Sequence, residues 1–430
     1  MFSKGRKYWL WLFLLVFVVA FMLGGCGKKK GTIEESGKTK ITYMYAGGST
    51  NDEIMKEATK LFEEKKPEID VELIYVPNWA TYIDKITTSL ASNSAPDVIV
   101  LGVYQVGDYV RKNALLDLSP YMKADPDYQK QKSEIIPTSL WDTISYNGQI
   151  LGVPAWQNPD VMYYNKKLFD GAGVSYPDGN WDYQKFLAAS QKLTKKNGNK
   201  VEQYGTWGLG WYWNVLWAYG ADVLNSEGTK CAMDTPEAQE AIQFIIDLAQ
   251  KYHVAPRPGE GGEQTDYQAF MTGRVATFVS GHYMVPMLKD IKDFDWDISV
   301  LPHQKERVSL NNATFWLVMK NSKQPKAAWE YVKFLSGPEV QNIIVKYEND
   351  VPILKSVLES DKFLNPKIPP VSDRVYIDAL KQSRSFPIAS DPRMDQIISD
   401  AITAVNLKQM DVATAMRKVT KEINQHLKER

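Results

Sequence analysis

In the run "DVIVLGV", Asp97 to Val103, the residues Val98 to Leu101 are apolar at successive positions instead of alternate ones. A strand of that composition needs cover on both faces, the situation of a parallel sheet flanked by helices. The stretches before it fit the same plan. "KITYMYAGG" reads as a strand closed by two glycines. "STNDEIMKEATKLFEEKKPEIDVELIYVPNW" then offers helix caps from Ser49 to Asp52 and apolar Ile54, Ala58, Leu61 and Phe62 at helical spacing. Pro67 stops that helix, "IDVELIYV" alternates as a second strand, and a further helix is expected from Tyr82 to Ala91. The fold class this implies is α/β. Open sheets of this kind bind ligands beyond the carboxyl ends of their strands, so the loops 46–51, 77–82 and 102–108 are the places to look for a site.

The amino terminus constrains location. Lys4, Arg6 and Lys7 precede sixteen apolar residues from Tyr8 to Leu23, followed by "GGC". That pattern is a secretory signal. As a helix it would span roughly 24 Å, short of a roughly 30 Å hydrocarbon core. The string "LGGC" resembles the bacterial lipobox, which implies cleavage after residue 25 and lipidation of Cys26. Residues 26–39, rich in Gly, Lys, Glu and Ser, read as a flexible tether, with folding expected to start near Lys40. Loss of the signal would take three basic residues and no acidic one from a balanced 51 against 51, so nothing recruits nucleic acid. Cys231 is the one cysteine besides Cys26, which leaves the exported domain without a disulfide and dependent on its core.

Catalytic signatures are missing. The four histidines, His253, His282, His303 and His426, show no metal-ligand spacing, and no zincin, P-loop, dinucleotide or nucleophile-elbow motif occurs. Asp293, Asp295 and Asp297 open a calcium-loop pattern that fails at Ile298 and Gln304. Neither a metal nor a cofactor is expected. A carboxylate pair for glycoside hydrolysis could hide among the acidic residues, so a cell-surface glycan-processing enzyme stands as an alternative. A structural or adhesive surface lipoprotein is a third reading.

Several strings in order, "LFEEKKPEIDVEL", "SAPDVIVL", "YNGQILGVPAWQNPDVMYYNKKLFDGAGV", "FMTGRVATFVSGHYMV", "AAWEYVKFLSGPEVQ" and "VPIL", resemble the extracellular solute-binding proteins of bacterial ABC importers, the family containing the maltose-binding protein. The resemblance covers nearly all of residues 40–420. It implies a periplasmic-binding-protein-like fold of two α/β lobes, 40–152 with 278–320 and 153–277 with 321–430, joined where the chain crosses near Val153, Thr277 and Lys320. It also implies a carbohydrate ligand, an oligosaccharide by preference, held in an interlobe cleft. The partners would be ABC permease subunits and the membrane through a lipid anchor, with the chain a monomer on the outer face of the cytoplasmic membrane and without catalytic activity.

The aligned strings place ligand contacts at Trp211 and Trp213 in "WYWNVLWAYGA", at Tyr283, and at Asn158. Arg393 falls where the family carries a stacking aromatic, and leaves open an acidic glycan or a phosphorylated polyol. From the strand-end loops come Gly47, Asn78, Trp79, Tyr104 and Gln105. Trp156 is balanced between cleft and core. Tryptophan suits a pyranose because it meets a face of C–H bonds with flat apolar area and few rotamers to freeze. Within "WGLGWYWNVLWAYG", Gly208 and Gly210 argue against one strand, and Trp213 and Trp217 lie 40° apart on a helix. The expected division is a loop presenting Trp211 and Trp213, then a helix from about Asn214 burying Trp217, with Trp207 undecided. Trp316 and Trp329 are expected in the core.

Overall fold

Covering an all-apolar strand on both faces produces the first sheet. The computed structural model describes residues 37–429 apart from 199, 261, 263, 366, 368 and 388–391, in a unit that begins at Thr39. The signal run, Cys26 and most of the tether lie outside the described residues. In chain order come β1 (Thr39–Ala46), α1 (Ser49–Lys65), β2 (Ile69–Val76), α2 (Trp79–Ala91), β3 (Val98–Gly102), α3 (Val103–Arg111), β4 (Val153–Trp156) and β5 (Val161–Asn165). The second half supplies α4 (Tyr212–Ala218), α5 (Pro236–Gln250), β6 (Thr277–Ser280), β7 (Trp296–Ser299), β8 (Thr314–Val318), α6 (Pro325–Leu335), α7 (Pro338–Lys346), α8 (Arg374–Leu380), α9 (Pro392–Asn406) and α10 (Val412–Lys428).

Strands order as β2-β1-β3-β8-β4 in a five-stranded sheet and β6-β5-β7 in a three-stranded one, with three two-stranded sheets besides. β1 runs parallel to β2 in unbroken register from Thr39 opposite Ile69 to Ala46 opposite Val76, and parallel to β3. β8 then pairs antiparallel with both β3 and β4. Val98, Ile99, Val100 and Leu101 are wholly buried, as the apolar run requires. Trp316, at the middle of β8, is also wholly buried. Its indole N–H donates to the Tyr43 hydroxyl at 3.1 Å, and Trp156 meets it edge-on with ring centroids 5.7 Å apart.

Pairing revises the expected division of the chain. β6 and β7 flank β5 on both sides, so 277–299 belongs with the second sheet and not with the first lobe. α6 and α7 pack against β8, β1 and α1, so 325–346 belongs with the first sheet and not with the second lobe. The crossings therefore fall at 157–160, at 310–313 and between α7 and α8, where Val153, Thr277 and Lys320 had been expected. Sequence order gave no hint of this, because β6 is separated from its partner β5 by more than a hundred residues.

The three crossing segments lie side by side. Gln157 and Val351 exchange backbone hydrogen bonds at 3.1 Å, and Pro159 bridges to Asn311. Amide side chains reinforce them: Asn311 donates to Gln157 at 3.1 Å, and Gln157 donates to the Pro352 carbonyl at 3.1 Å. Buried polar groups of this kind persist because they are paired.

Truncating Trp316 would leave a ring-sized cavity among Trp156, Tyr43 and the strands beside it. Trp316→Ala is expected to lower unfolding free energy by about 3–5 kcal/mol in denaturant titration.

Candidate ligand cleft

A cavity of about 630 Å³ opens where the first sheet, the crossing segments and the second sheet meet. From the first sheet come Trp79, at the start of α2, and Tyr104 and Gln105, just past the carboxyl end of β3. The crossings add Asp160 and Asn312. The second sheet's side adds Trp207, Trp211, Asp266, Tyr283 and Phe386. Five of the residues expected from sequence, Trp79, Tyr104, Gln105, Trp211 and Tyr283, thus line one cavity.

Local geometry explains why Trp211 shows its ring. It is the residue before α4, in extended backbone conformation, with Gly208 and Gly210 at φ of +125° and +73° in the loop behind it. A Cβ on Gly210 would sit 2.8 Å from Val279, so that turn requires glycine. Trp211 is 48% exposed, an unusual state for a residue with the largest apolar side chain. It meets Tyr104 edge-on at 5.8 Å and Phe386 at 5.4 Å, while Tyr104 and Phe386 are also 5.4 Å apart. Rings from both sheets thereby converge on one wall.

Other expected site residues serve elsewhere. α4 begins at Tyr212, two residues earlier than expected, which carries Trp213 onto the buried face with Trp217, its neighbour one turn on. Trp213 is 1% exposed, 5.2 Å from Trp217, and donates its indole N–H to Asp395 at 3.1 Å, so it is core and not platform. Trp156 is core against Trp316. Asn158 is buried and donates to Asp350 at 2.6 Å, holding the crossing instead of lining the cavity. Asn78 caps α2, its side-chain oxygen accepting the Thr81 N–H at 3.0 Å. Gly47, at φ +138°, leaves no room for a Cβ beside Asn51 and takes the Tyr75 hydroxyl on its carbonyl. Arg393 is exposed on the first turn of α9 and is not among the lining residues.

Asp160, Asp266, Asn312 and Phe386 were missed, and Trp207, left undecided by the sequence, lines the cavity. Asp160 stands two residues beyond Asn158 in the same "QNPDV" string, and the fact that only one of the two faces the cleft depends on how the crossing is paired. Asp160 is 4% exposed and accepts the Asn214 side-chain N–H at 2.8 Å, yet burial pushes its carboxyl up to about 7. Desolvation also raises Asp266. The lining holds these two carboxylates and, among the described residues, no lysine, arginine or histidine. No group of three or more His, Cys, Asp or Glu among the described residues is placed to hold a metal. Asp297, of the aspartate triplet, is buried and pairs with Lys166 at 3.2 Å.

A cleft between two α/β lobes, floored by crossing strands and walled with aromatic rings, is the arrangement of a binding receptor. The family model of bacterial extracellular solute-binding proteins matches residues 47–342. The chain belongs to this family. An arabinooligosaccharide-binding protein of Bacillus subtilis is 23% identical over 348 residues, 78% of each chain. An sn-glycerol-3-phosphate-binding periplasmic protein of Rhizobium meliloti is 22% identical over 412 residues, covering 90% of this chain and 93% of that one. An ABC substrate-binding protein of Listeria monocytogenes, solved in complex with cycloalternan, superposes with a TM-score of 0.81 at 25% identity, over 91% of this chain and 99% of the other. Like the rest of its family, the receptor is a binding protein of two lobes.

The Asp160 carboxyl titrates well above an unfolded aspartate at 3.8, so the folded state holds its proton more tightly. Stability is then lost as pH rises from about 4 to about 7. Asp160→Asn keeps an acceptor for Asn214 and removes the charge. Its thermal midpoint should gain on the parent between pH 5 and pH 8, by the equivalent of on the order of 1–3 kcal/mol, as differential scanning fluorimetry would record.

Proposed function

We propose that this receptor captures a neutral oligosaccharide between its lobes and hands it to the permease of an ABC importer, without turning it over. The observation carrying this reading is the lining itself: exposed rings of Trp79, Trp211 and Tyr283 beside the Asp160 and Asp266 carboxylates and the Asn312 and Gln105 amides. Flat apolar area matches the C–H face of a pyranose or furanose. The carboxylates and amides match its rim of hydroxyls, since a buried acceptor is costly when a ligand lacks the donor for it. Relatives named for arabinooligosaccharides and solved with cycloalternan support the same ligand class. The cavity volume suits a ligand larger than a monosaccharide.

The relative named for sn-glycerol-3-phosphate raises the phosphorylated-polyol alternative. A phosphate dianion in this cleft would face two carboxylates and, among the described lining residues, no cation. A dianion desolvated without a cation to pair it is costly, so the lining argues against it. Arg393, which could have met an anion, is not in the lining.

Closure of the lobes around ligand would use the three paired crossings as the hinge, with the closed state stabilised by contacts that ligand makes to both sides. Cys26 as the lipidated first residue after signal cleavage would tether the receptor to the outer face of the membrane through the 26–39 spacer. A monomer suffices for delivery.

Isothermal titration with a panel of maltotriose, arabinotriose and cycloalternan should show binding, and glycerol 3-phosphate should show none. Trp211→Ala should weaken saccharide binding ten-fold or more, about 1.4 kcal/mol, with little change in thermal midpoint. Binding of glycerol 3-phosphate alone, or release of shortened saccharides on incubation, would reject the reading.

A further inference from the structure

Asn214 sits on the first turn of α4, 1% exposed, and its single amide joins three parts of the site. The side-chain N–H₂ donates to Asp160 Oδ2 at 2.8 Å and to the Leu209 carbonyl at 3.2 Å, and the side-chain oxygen accepts the Leu310 N–H at 2.7 Å. Leu209 lies between Trp207 and Trp211 in the ring-bearing loop. Asp160 and Leu310 lie on two of the crossing segments. No other side-chain type of this size offers two donors and one acceptor in a plane.

Asp160 is fixed on its backbone as well: its N–H donates to the Leu310 carbonyl at 2.8 Å and its carbonyl accepts from Ser309 at 2.7 Å. With Oδ2 committed to Asn214, Oδ1 is turned to Asn312, itself a lining residue, at a loose 3.5 Å. That leaves Oδ1 as the carboxylate atom offered to a ligand hydroxyl. We propose that Asn214 is a positioning residue that aims the Asp160 carboxylate into the cleft and locks the Trp211 loop to the crossing strands, so that rings and acceptor meet the ligand as one preset surface. This rests on the saccharide-receptor reading above.

The groups facing Asp160 make the role measurable. Its charge bears on Tyr163, from β5, and on Tyr283, from the turn after β6, and Asp266 bears on Tyr283 as well. His282, beside Tyr283, is held neutral by burial, its pKa lowered to about 4. With no cation among the described lining residues, the amide of Asn214 is the group that favours ionised Asp160 against desolvation. A carboxylate accepts from a hydroxyl more strongly than its protonated form does, so saccharide affinity should climb as pH passes through about 7.

The test compares the parent, Asn214→Asp, Asp160→Asn and the exchanged pair carrying both, each titrated with the oligosaccharide panel from pH 6 to pH 9. Asn214→Asp keeps the acceptor for Leu310 and replaces the donor facing Asp160. Its pH midpoint should move up by a unit or more, with affinity at pH 7.5 falling at least ten-fold. Asp160→Asn should bind weakly with no pH dependence over the range. The exchanged pair restores a donor and an acceptor across the contact, so its thermal midpoint should recover while affinity stays low. Recovery of affinity together with stability in the exchanged pair, or an unmoved pH midpoint in Asn214→Asp, would show a purely structural amide and overturn the proposal. If the parent itself bound no saccharide, the receptor reading would fall first and this proposal with it.

Discussion

Three extended segments held against one another by buried amides are the constraint on which the rest of the molecule depends. Gln157 and Val351 share backbone hydrogen bonds, Asn158 reaches Asp350, Asn311 reaches Gln157, and Asn312 donates its N–H to the Asn158 carbonyl at 3.0 Å. These segments are where the chain passes between the five-stranded and the three-stranded sheet. A polar seam is suited to that task. Its hydrogen bonds fix direction and register, which apolar packing alone does not, and they can bend without exposing a hydrophobic face. The cleft inherits its floor from this seam, through Asp160 and Asn312.

Above that floor, ring placement follows from where helices start. α2 begins at Trp79 and α4 begins one residue after Trp211, so both rings stand at helix entries facing the cavity instead of lying on helix flanks facing the core. The same α4 buries Trp213 and Trp217 one turn apart. A single short stretch therefore supplies both core and binding wall, and the boundary between the two roles is the first residue of the helix. Asp160 and Asp266 complete the surface with carboxyl groups that can pair with hydroxyls, and among the described residues no cation stands in the lining to pair an anion.

Much of this was legible in sequence. The apolar β3 run gave the covered sheet, helical spacing gave α1, and the positions beyond strand ends pointed to Trp79, Tyr104 and Gln105. Gly208 and Gly210 marked the loop that presents Trp211. What stayed hidden was decided by pairing over long sequence separations. Nothing local distinguishes Asn158, which braces the crossing, from Asp160, which faces the cleft, until Pro159 is seen to bridge to Asn311. The lobe membership of 277–299 depends on β6 and β7 flanking β5. Trp213 turned inward because α4 starts two residues early, a shift within the ordinary uncertainty of a helix boundary and large enough to rotate a side chain by about 200°.

The central claim is that a saccharide lies between the two sheets with a ring face flat on Trp211 and a hydroxyl on Asp160. A crystal structure of the receptor with whichever member of the oligosaccharide panel it binds tests this most directly. The account predicts a sugar ring stacked on Trp211 at van der Waals distance and a hydroxyl within hydrogen-bond reach of Asp160 Oδ1. Density for the saccharide at another surface, or in the cleft with Trp211 and Asp160 untouched, would contradict it.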